Sequence, residues 1–203
     1  MKRNYFISIL VLLILTSFSF HVSGQEIKQK KRGIIPDYIS TQFAGNIGAG
    51  SIGVGYYLNK VRNLSSDFIY GYSPSYRTSV DLHNLVTRIN YKPAVFDLSE
   101  KWSLRPLTSF AISMQINDNG RTFKRLPPTY PKDYYRPTAF RFHFDLGVAS
   151  RYCFEQHTLI KAIEFYVTTT TNDLYVYYFF KSKEMTLFDS FSMAIGFTVF
   201  LFN

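Results

Sequence analysis

The chain has 203 residues, 23 of them Lys or Arg against 14 Asp or Glu, for a formal charge of +9, with 20 Phe, 16 Tyr and one cysteine. A lone cysteine excludes an internal disulfide framework. Beyond the first 24 residues no run approaches the ~20 apolar residues that a membrane helix needs, so any membrane crossing there must be made by strands.

Lys2 and Arg3 precede an apolar run from Tyr5 to Phe20, followed by His21-Val-Ser-Gly24. A positive start, a short apolar core and small residues predict a signal peptide over 1–24, cut near Gly24/Gln25 and implying export. Its removal takes the charge from +9 to +7, because two basic and no acidic residues leave. No cysteine stands at the cut, so a lipoprotein anchor is not expected. Residues 25–36 are polar and basic (Lys28, Lys30, Lys31, Arg32) and read as a lead-in to a single domain over 37–203.

That domain alternates. Tyr38–Gly45 sets Ile39, Thr41 and Phe43 against Ser40, Gln42 and Ala44. Gly50–Leu58 sets Ile52, Val54, Tyr56 and Leu58 against Ser51, Gly53, Gly55 and Tyr57. Leu64–Ser73 opposes Phe68, Tyr70 and Tyr72 to Asp67 and Gly71, and Val80–Tyr91 opposes Leu85, Ile89 and Tyr91 to Asn84, Arg88 and Asn90. Trp102–Ile116 opposes Trp102, Leu104, Phe110, Ile112 and Met114 to Ser103, Arg105, Ser109, Ala111, Ser113 and Gln115. After a polar, Pro-rich insertion over Asn117–Thr138, the clearest strand runs from Phe140 to Tyr152, with Phe140, Phe142, Phe144, Leu146 and Val148 opposite Arg141, His143, Asp145, Gly147, Ala149 and Arg151. Ile160–Thr170 and Phe191–Phe202 follow the same rule. A period of two is that of a strand with unlike faces. The count is eight strands. Asp173–Phe180, apolar on both parities, fits a strand extension, a rim helix or an extra strand.

The second face decides which way the barrel is turned. A face open to water carries long solubilising residues, whereas this one is mostly Gly, Ala and Ser with isolated Arg, Asp, Glu and His. Small residues fit the narrow interior of an eight-stranded barrel. An Arg facing mid-bilayer lipid costs ~2–4 kcal/mol, and every strand Arg lies opposite the aromatic parity. The expected fold is therefore all-β, an antiparallel up-and-down transmembrane β-barrel with long outer loops. Links after the second, fourth and sixth strands are shorter than those after the fifth and seventh, the asymmetry of a barrel with periplasmic termini. The brief first outer loop, Asn46–Ala49, is the exception.

The last strand, ending FTVFLFN, resembles the C-terminal strand of bacterial outer-membrane barrels. The segments YISTQFAGNIGAGSIGVGYYL, LPPTYPKDYYRPTAFRFH and IEFYVTTTTNDLY resemble an uncharacterised family of small outer-membrane barrels from Bacteroidota-like bacteria. The resemblance spans most of the mature chain. It implies fold and location in the bacterial outer membrane, contact with outer-membrane lipid and lipopolysaccharide, and insertion by the barrel-assembly machinery; it brings no activity.

Two groups of residues stand out. Asp67, Arg88, Arg105, Arg141, His143, Asp145, Arg151 and Glu164 share the small-residue face and read as a structural polar network in a filled lumen; His143 with Asp145 as an acid/base pair is the competing interpretation. Arg121, Lys124, Arg125, Tyr130, Lys132, Tyr134, Tyr135 and Arg136 lie in the Pro-rich insertion. Five basic residues against Asp118 and Asp133 give it +3, suited to lipopolysaccharide phosphates. Basic residues among aromatics also fit nucleic acid, but an exported chain excludes that partner. No catalytic set, metal cluster or cofactor fingerprint is evident, and the Gly45–Gly55 glycines precede no helix that would make a phosphate loop.

The functional expectation is a structural or surface-interaction role. One alternative is a lipid A-modifying acyl hydrolase, whose expected His-x-Ser on a strand is absent from the mature part; His83 near the outer rim is followed two residues on by Leu85. The other is a soluble exported barrel binding an apolar ligand.

Overall fold

The computed structural model describes residues 35–75, 81–117, 140–154, 159–181, 186 and 188–201. The expected signal peptide over 1–24, nearly all of the expected lead-in and the eight interaction candidates from Arg121 to Arg136 lie outside them.

The chain forms β1 (Tyr38–Ala44), β2 (Gly50–Tyr57), β3 (Leu64–Ser73), β4 (Leu82–Tyr91), β5 (Phe96–Asp97), β6 (Trp102–Asn117), β7 (Phe140–Cys153), β8 (Ile160–Asn172) and β9 (Ser192–Leu201). Each of β1, β2, β3, β4, β6, β7, β8 and β9 pairs antiparallel with its neighbour, and β1 pairs with β9 through Tyr38↔Phe200 to Ala44↔Ala194. These eight close an up-and-down barrel. The two-residue β5 stands outside it, hydrogen-bonded only to the start of β6.

Alternation governs which way each side chain points. The burial pattern of β3 is typical: Asp67 and Ile69 are buried, Phe68 and Tyr70 exposed. Outside, Phe43, Ile52, Phe68, Leu85, Phe110, Phe142, Phe165, Ile195 and Phe197 form a continuous apolar surface around the barrel. Inside, the largest side chains that reach less than 2% exposure are Glu164, Asp67 and Ser109. A soluble barrel has the reverse distribution.

The two ends differ. One carries the links after β2, β4 and β7; its interior is capped by Tyr38, Tyr57, Ala162 and Phe200, with Tyr57 and Phe200 stacked at 6.2 Å between ring centres. The other carries the turns after β1, β3, β6 and β8. Here the β1–β2 turn folds inward, so that Ile47 packs on Ile69, Val86 and Ala111 and its carbonyl accepts from Asn84 Nδ2 at 2.8 Å. Ala44 (φ 61°) and Gly45 (φ 79°) supply the left-handed residues that reverse the chain so tightly. The shortness of this loop is thus explained: it is a plug.

Asp173–Lys181 is a helix, α1, rather than a strand. Asn172 caps it, its Oδ1 accepting from Tyr175 N–H at 2.9 Å, and Asp173 and Lys181 sit at the ends that suit the helix dipole. None of its residues is buried. The chain then turns through a 3-10 segment, Phe188–Ser190, tied to the barrel by Thr171 Oγ1 donating to Ser190 O at 2.7 Å.

Candidate functional site

The lumen holds two linked polar clusters. In the first, Asp67 of β3 accepts from Arg88 Nε at 3.0 Å and Nη2 at 2.8 Å, and from Asn90 Nδ2 at 2.9 Å, the latter two residues on neighbouring β4. The hydroxyl of Tyr38 donates to its other oxygen. Arg88 Nη1 continues across the barrel to Gln42 Oε1 at 2.8 Å, which also accepts from Tyr166 at 3.2 Å. Asn90 Oδ1 in turn accepts from Ser109 at 2.8 Å. Both lone-pair regions of the buried carboxylate and the guanidinium fork are thereby satisfied, as burial of charge demands.

In the second, Glu164 of β8 accepts from Arg151 of β7, with Nε at 2.9 Å and Nη2 at 2.8 Å. Its other oxygen takes a hydrogen bond from Lys92. Arg151 lies over the Phe200 ring, 3.9 Å from its centre, and donates to Tyr57 Oη at 3.2 Å. Lys92 follows β4 and counts in sequence as a link lysine, but its side chain reaches back along the wall into the lumen, as long cationic side chains do.

These clusters leave little space. A cavity of about 20 Å³ lies between them, bounded by Tyr38, Asp67, Arg88, Lys92, Glu164 and Tyr166. That is room for about one water. A second of about 70 Å³ opens at the end that carries the β7–β8 link, beside Asp37, Arg62, Arg151 and Lys161.

Of the eight lumen residues singled out in the sequence, Asp67, Arg88, His143, Asp145, Arg151 and Glu164 are buried inside the barrel. Asp145 faces Arg88 and takes a hydrogen bond from Thr170. Arg105 is half-buried, with Nε 3.4 Å from Ser103 Oγ. Arg141 stands at the rim, 3.8 Å from Asp173. His143 and Asp145 do not pair with each other: the ring of His143 meets Ser113 instead, Nε2 to Oγ at 2.7 Å. Tyr38, Gln42, Asn90, Tyr57, Lys92 and Tyr166 complete the clusters and were not singled out in the sequence, although parity with Ser40, Arg88, Gly55 or Glu164 marks all of them but Lys92, which lies just past the end of β4, as inward.

His143 sits in the turn of wall nearest the plugged end. Pairing of β7 with β8 begins at His143↔Asn172, so beyond that level β7 is flanked by the start of α1. Phe110, Phe142, Phe144, Val176 and Tyr177 line a groove of about 350 Å³ on the outer side there, which His143 and Asp173 also border, although the side chain of His143 is buried on the lumen side. His143 Nδ1 and Asp173 Oδ1 are both buried and lack a hydrogen-bond partner. Elsewhere on the same rim, His83 faces outward, stacked near Tyr70 and Tyr72, with Nδ1 2.6 Å from Tyr70 Oη. Among the described residues no group of three or more His, Cys, Asp or Glu could hold a metal, and no helix is long and apolar enough to cross a membrane. Comparison with protein-family models, curated proteins and solved structures finds no match to this chain.

Proposed function

We propose that this chain is an integral β-barrel of a bacterial outer membrane, exported by a cleaved signal peptide, with a structural or surface-interaction role. The observation that carries the reading is the inversion of polarity. Charged groups are buried and paired in the lumen while Phe, Ile, Leu and Val cover the outside on all eight strands. Water rewards the opposite arrangement, and hydrocarbon rewards this one. Trp102 and Tyr152, in contact at 5.0 Å between rings, stand at one end of the apolar surface and Tyr70 and Tyr72 at the other, in the manner of interfacial aromatic belts.

A filled lumen argues against a channel. The interaction surface is then assigned to the end opposite the termini, where the segment with Arg121, Lys124, Arg125, Lys132 and Arg136 attaches between β6 and β7 and would meet lipopolysaccharide phosphates. The test is the electrophoretic mobility of protein extracted from the membrane fraction, unheated against boiled, together with flotation of the refolded chain on lipid vesicles. A mobility shift and flotation are expected. A protein wholly in the soluble fraction that neither shifts nor floats would overturn the reading and favour a soluble barrel.

A further inference from the structure

We infer that the cavity at the end of the barrel carrying the β7–β8 link is a binding site for a phosphate group, held by Arg62, Arg151 and Lys161. The inference goes beyond the membrane reading and does not depend on it.

Two local departures from regular backbone converge on this cavity. Arg62, in the turn between β2 and β3, has φ 59°, a left-handed conformation that burdens a long L side chain and suits Gly or Asn. Lys161 lies where the pairing of β8 with β9 slips: Ile160 faces Leu201 and Ala162 faces Phe200, so Lys161 is the extra residue of a bulge. Its neighbour Ala162 is buried toward the lumen like Glu164, and strict alternation would aim Lys161 outward. A bulge re-aims a side chain, and Lys161 lines the cavity together with Arg62. One irregularity is a detail of its turn. Two that each bring a cation to the same cavity point to a ligand.

The third cation comes from the interior. The Arg151 side chain is 9% exposed. Its Nε and Nη2 are held by Glu164, and Nη2 also by Tyr57. Its Nη1 makes no hydrogen bond among the described residues. Arg151 lines this cavity and not the smaller one. A guanidinium so buried, with an unused nitrogen at a cavity wall, calls for an acceptor there.

The lining carries a surplus of positive charge. Its three cations stand against one carboxylate, Asp37, whose Oδ2 already accepts from Tyr57 N–H at 2.8 Å. Glu164, behind Arg151, is shared with Lys92. Lys161 is repelled by both Arg62 and Arg151, and an anion between them relieves that repulsion. Exposure falls from Lys161 through Arg62 to Arg151, which makes a path from the mouth inward. The volume of about 70 Å³ is roughly five times what one water needs. It admits a phosphate group and excludes a nucleotide or a sugar. The planar fork of arginine suits phosphate oxygens. The group belongs either to inorganic phosphate from the surrounding water or to a phospholipid headgroup at that rim.

The refolded full chain in non-ionic detergent is titrated calorimetrically with inorganic phosphate and with dihexanoyl phosphatidylglycerol, against acetate at the same ionic strength. Saturable binding well above acetate is expected, and the tighter of the two phosphates identifies the source. Cys153, the single cysteine, is exposed and lines the cavity, so its reaction with N-ethylmaleimide is expected to slow several-fold when phosphate is bound. That readout separates this cavity from the basic segment between β6 and β7. Lys161→Met and Arg62→Gly are each expected to weaken binding about 10-fold or more. Gly suits φ 59° better than Arg, so Arg62→Gly is expected to leave the urea midpoint without phosphate unchanged or higher. It should also remove most of the rise in midpoint that phosphate gives the parent. No binding above acetate, a Cys153 rate that ignores phosphate, or an Arg62→Gly protein that is less stable yet binds as well as the parent would overturn the site. Phosphate binding of the expected kind in a protein that neither floats nor shifts on the gel would overturn the membrane reading and leave the site standing.

Discussion

Replacing Glu164 with Gln strips the charge from a carboxylate that is 1% exposed and leaves Arg151 and Lys92, with side chains 9% and 12% exposed, to face each other across the lumen. Breaking a buried pair by removing one partner costs about 3–5 kcal/mol, because the remaining charge has lost its compensation. Gln keeps the volume and one acceptor oxygen, which holds the Arg151 arm near the bottom of that range. The Lys92 arm, nearer the mouth, relaxes toward water and adds little, about 0–1 kcal/mol. The expected loss is therefore about 3–4 kcal/mol. Urea unfolding of the refolded protein in lipid vesicles measures it, followed through the fluorescence of Trp102, the single tryptophan, on the outer surface at 46% exposure. Adding Lys92→Met to Glu164→Gln removes the surplus cation and is expected to recover no more than about 1 kcal/mol. A loss below about 1 kcal/mol for the single variant, or a double variant that recovers most of the loss, would refute a dehydrated ion triad centred on Arg151.

Three further outcomes follow from the same structure. A Cβ on Gly196 would lie 2.0 Å from the Tyr166 ring, so Gly196→Ala is expected to displace that ring, break its bond to Gln42 and cost about 1–3 kcal/mol in the same unfolding assay; an unchanged midpoint would refute close packing of Tyr166 on β9. Phe197→Arg, mid-strand on the outer face of β9, is expected to cost about 2–4 kcal/mol in vesicles, and Met193→Arg at the strand end about 0–1; equal costs would argue against a bilayer around the barrel. Asp81, just before β4, has its carboxyl held below the ordinary range by the Tyr72 hydroxyl at 3.0 Å and by Ser75. A depressed value means the contact stabilises above the unfolded pKa and is lost as pH falls through the folded one. Tyr72→Phe is expected to move the carboxyl upward in an NMR titration, and a curve that does not move would assign the effect to Ser75 alone.

Period-two alternation made the barrel legible because a one-residue slip would turn Phe142 inward and Arg141 to the outer surface, so the strand from Phe140 tolerates only one register. The fourth strand was less clean in sequence for a physical reason: Val86 is apolar yet inward, meeting Ile47 of the plug. Asp173–Lys181 was illegible as a helix by alternation, since Tyr, Val and Phe occur on every face; the Asn172 cap was the available signal. Residues brought together from different strands escaped linear motifs altogether. Ser113 and His143 meet because β6 and β7 pair with Ser113↔Arg141 and Ala111↔His143, which sets the two side chains diagonally across a strand boundary. A search for His-x-Ser along one strand cannot find them. Lys92 was hidden differently, in that its backbone belongs to a link and only its stem reaches the lumen.

The seam between β1 and β9 has a bearing on how the molecule is made. Every other strand of the barrel finds its partner nearby in the sequence, whereas Tyr38↔Phe200 joins the first strand to the last. Until β9 is in place, the growing sheet has two raw edges, both strongly apolar on one face, and such edges invite pairing with whatever strand comes first. Because the closure contacts are the most distant in sequence, their entropy is lost before their reward arrives, and closing the ring is the slow step. A chain truncated before Ser192 would keep its lumen ion pairs and have no way to seal them, so its fate is decided by the hands that hold it in the interval.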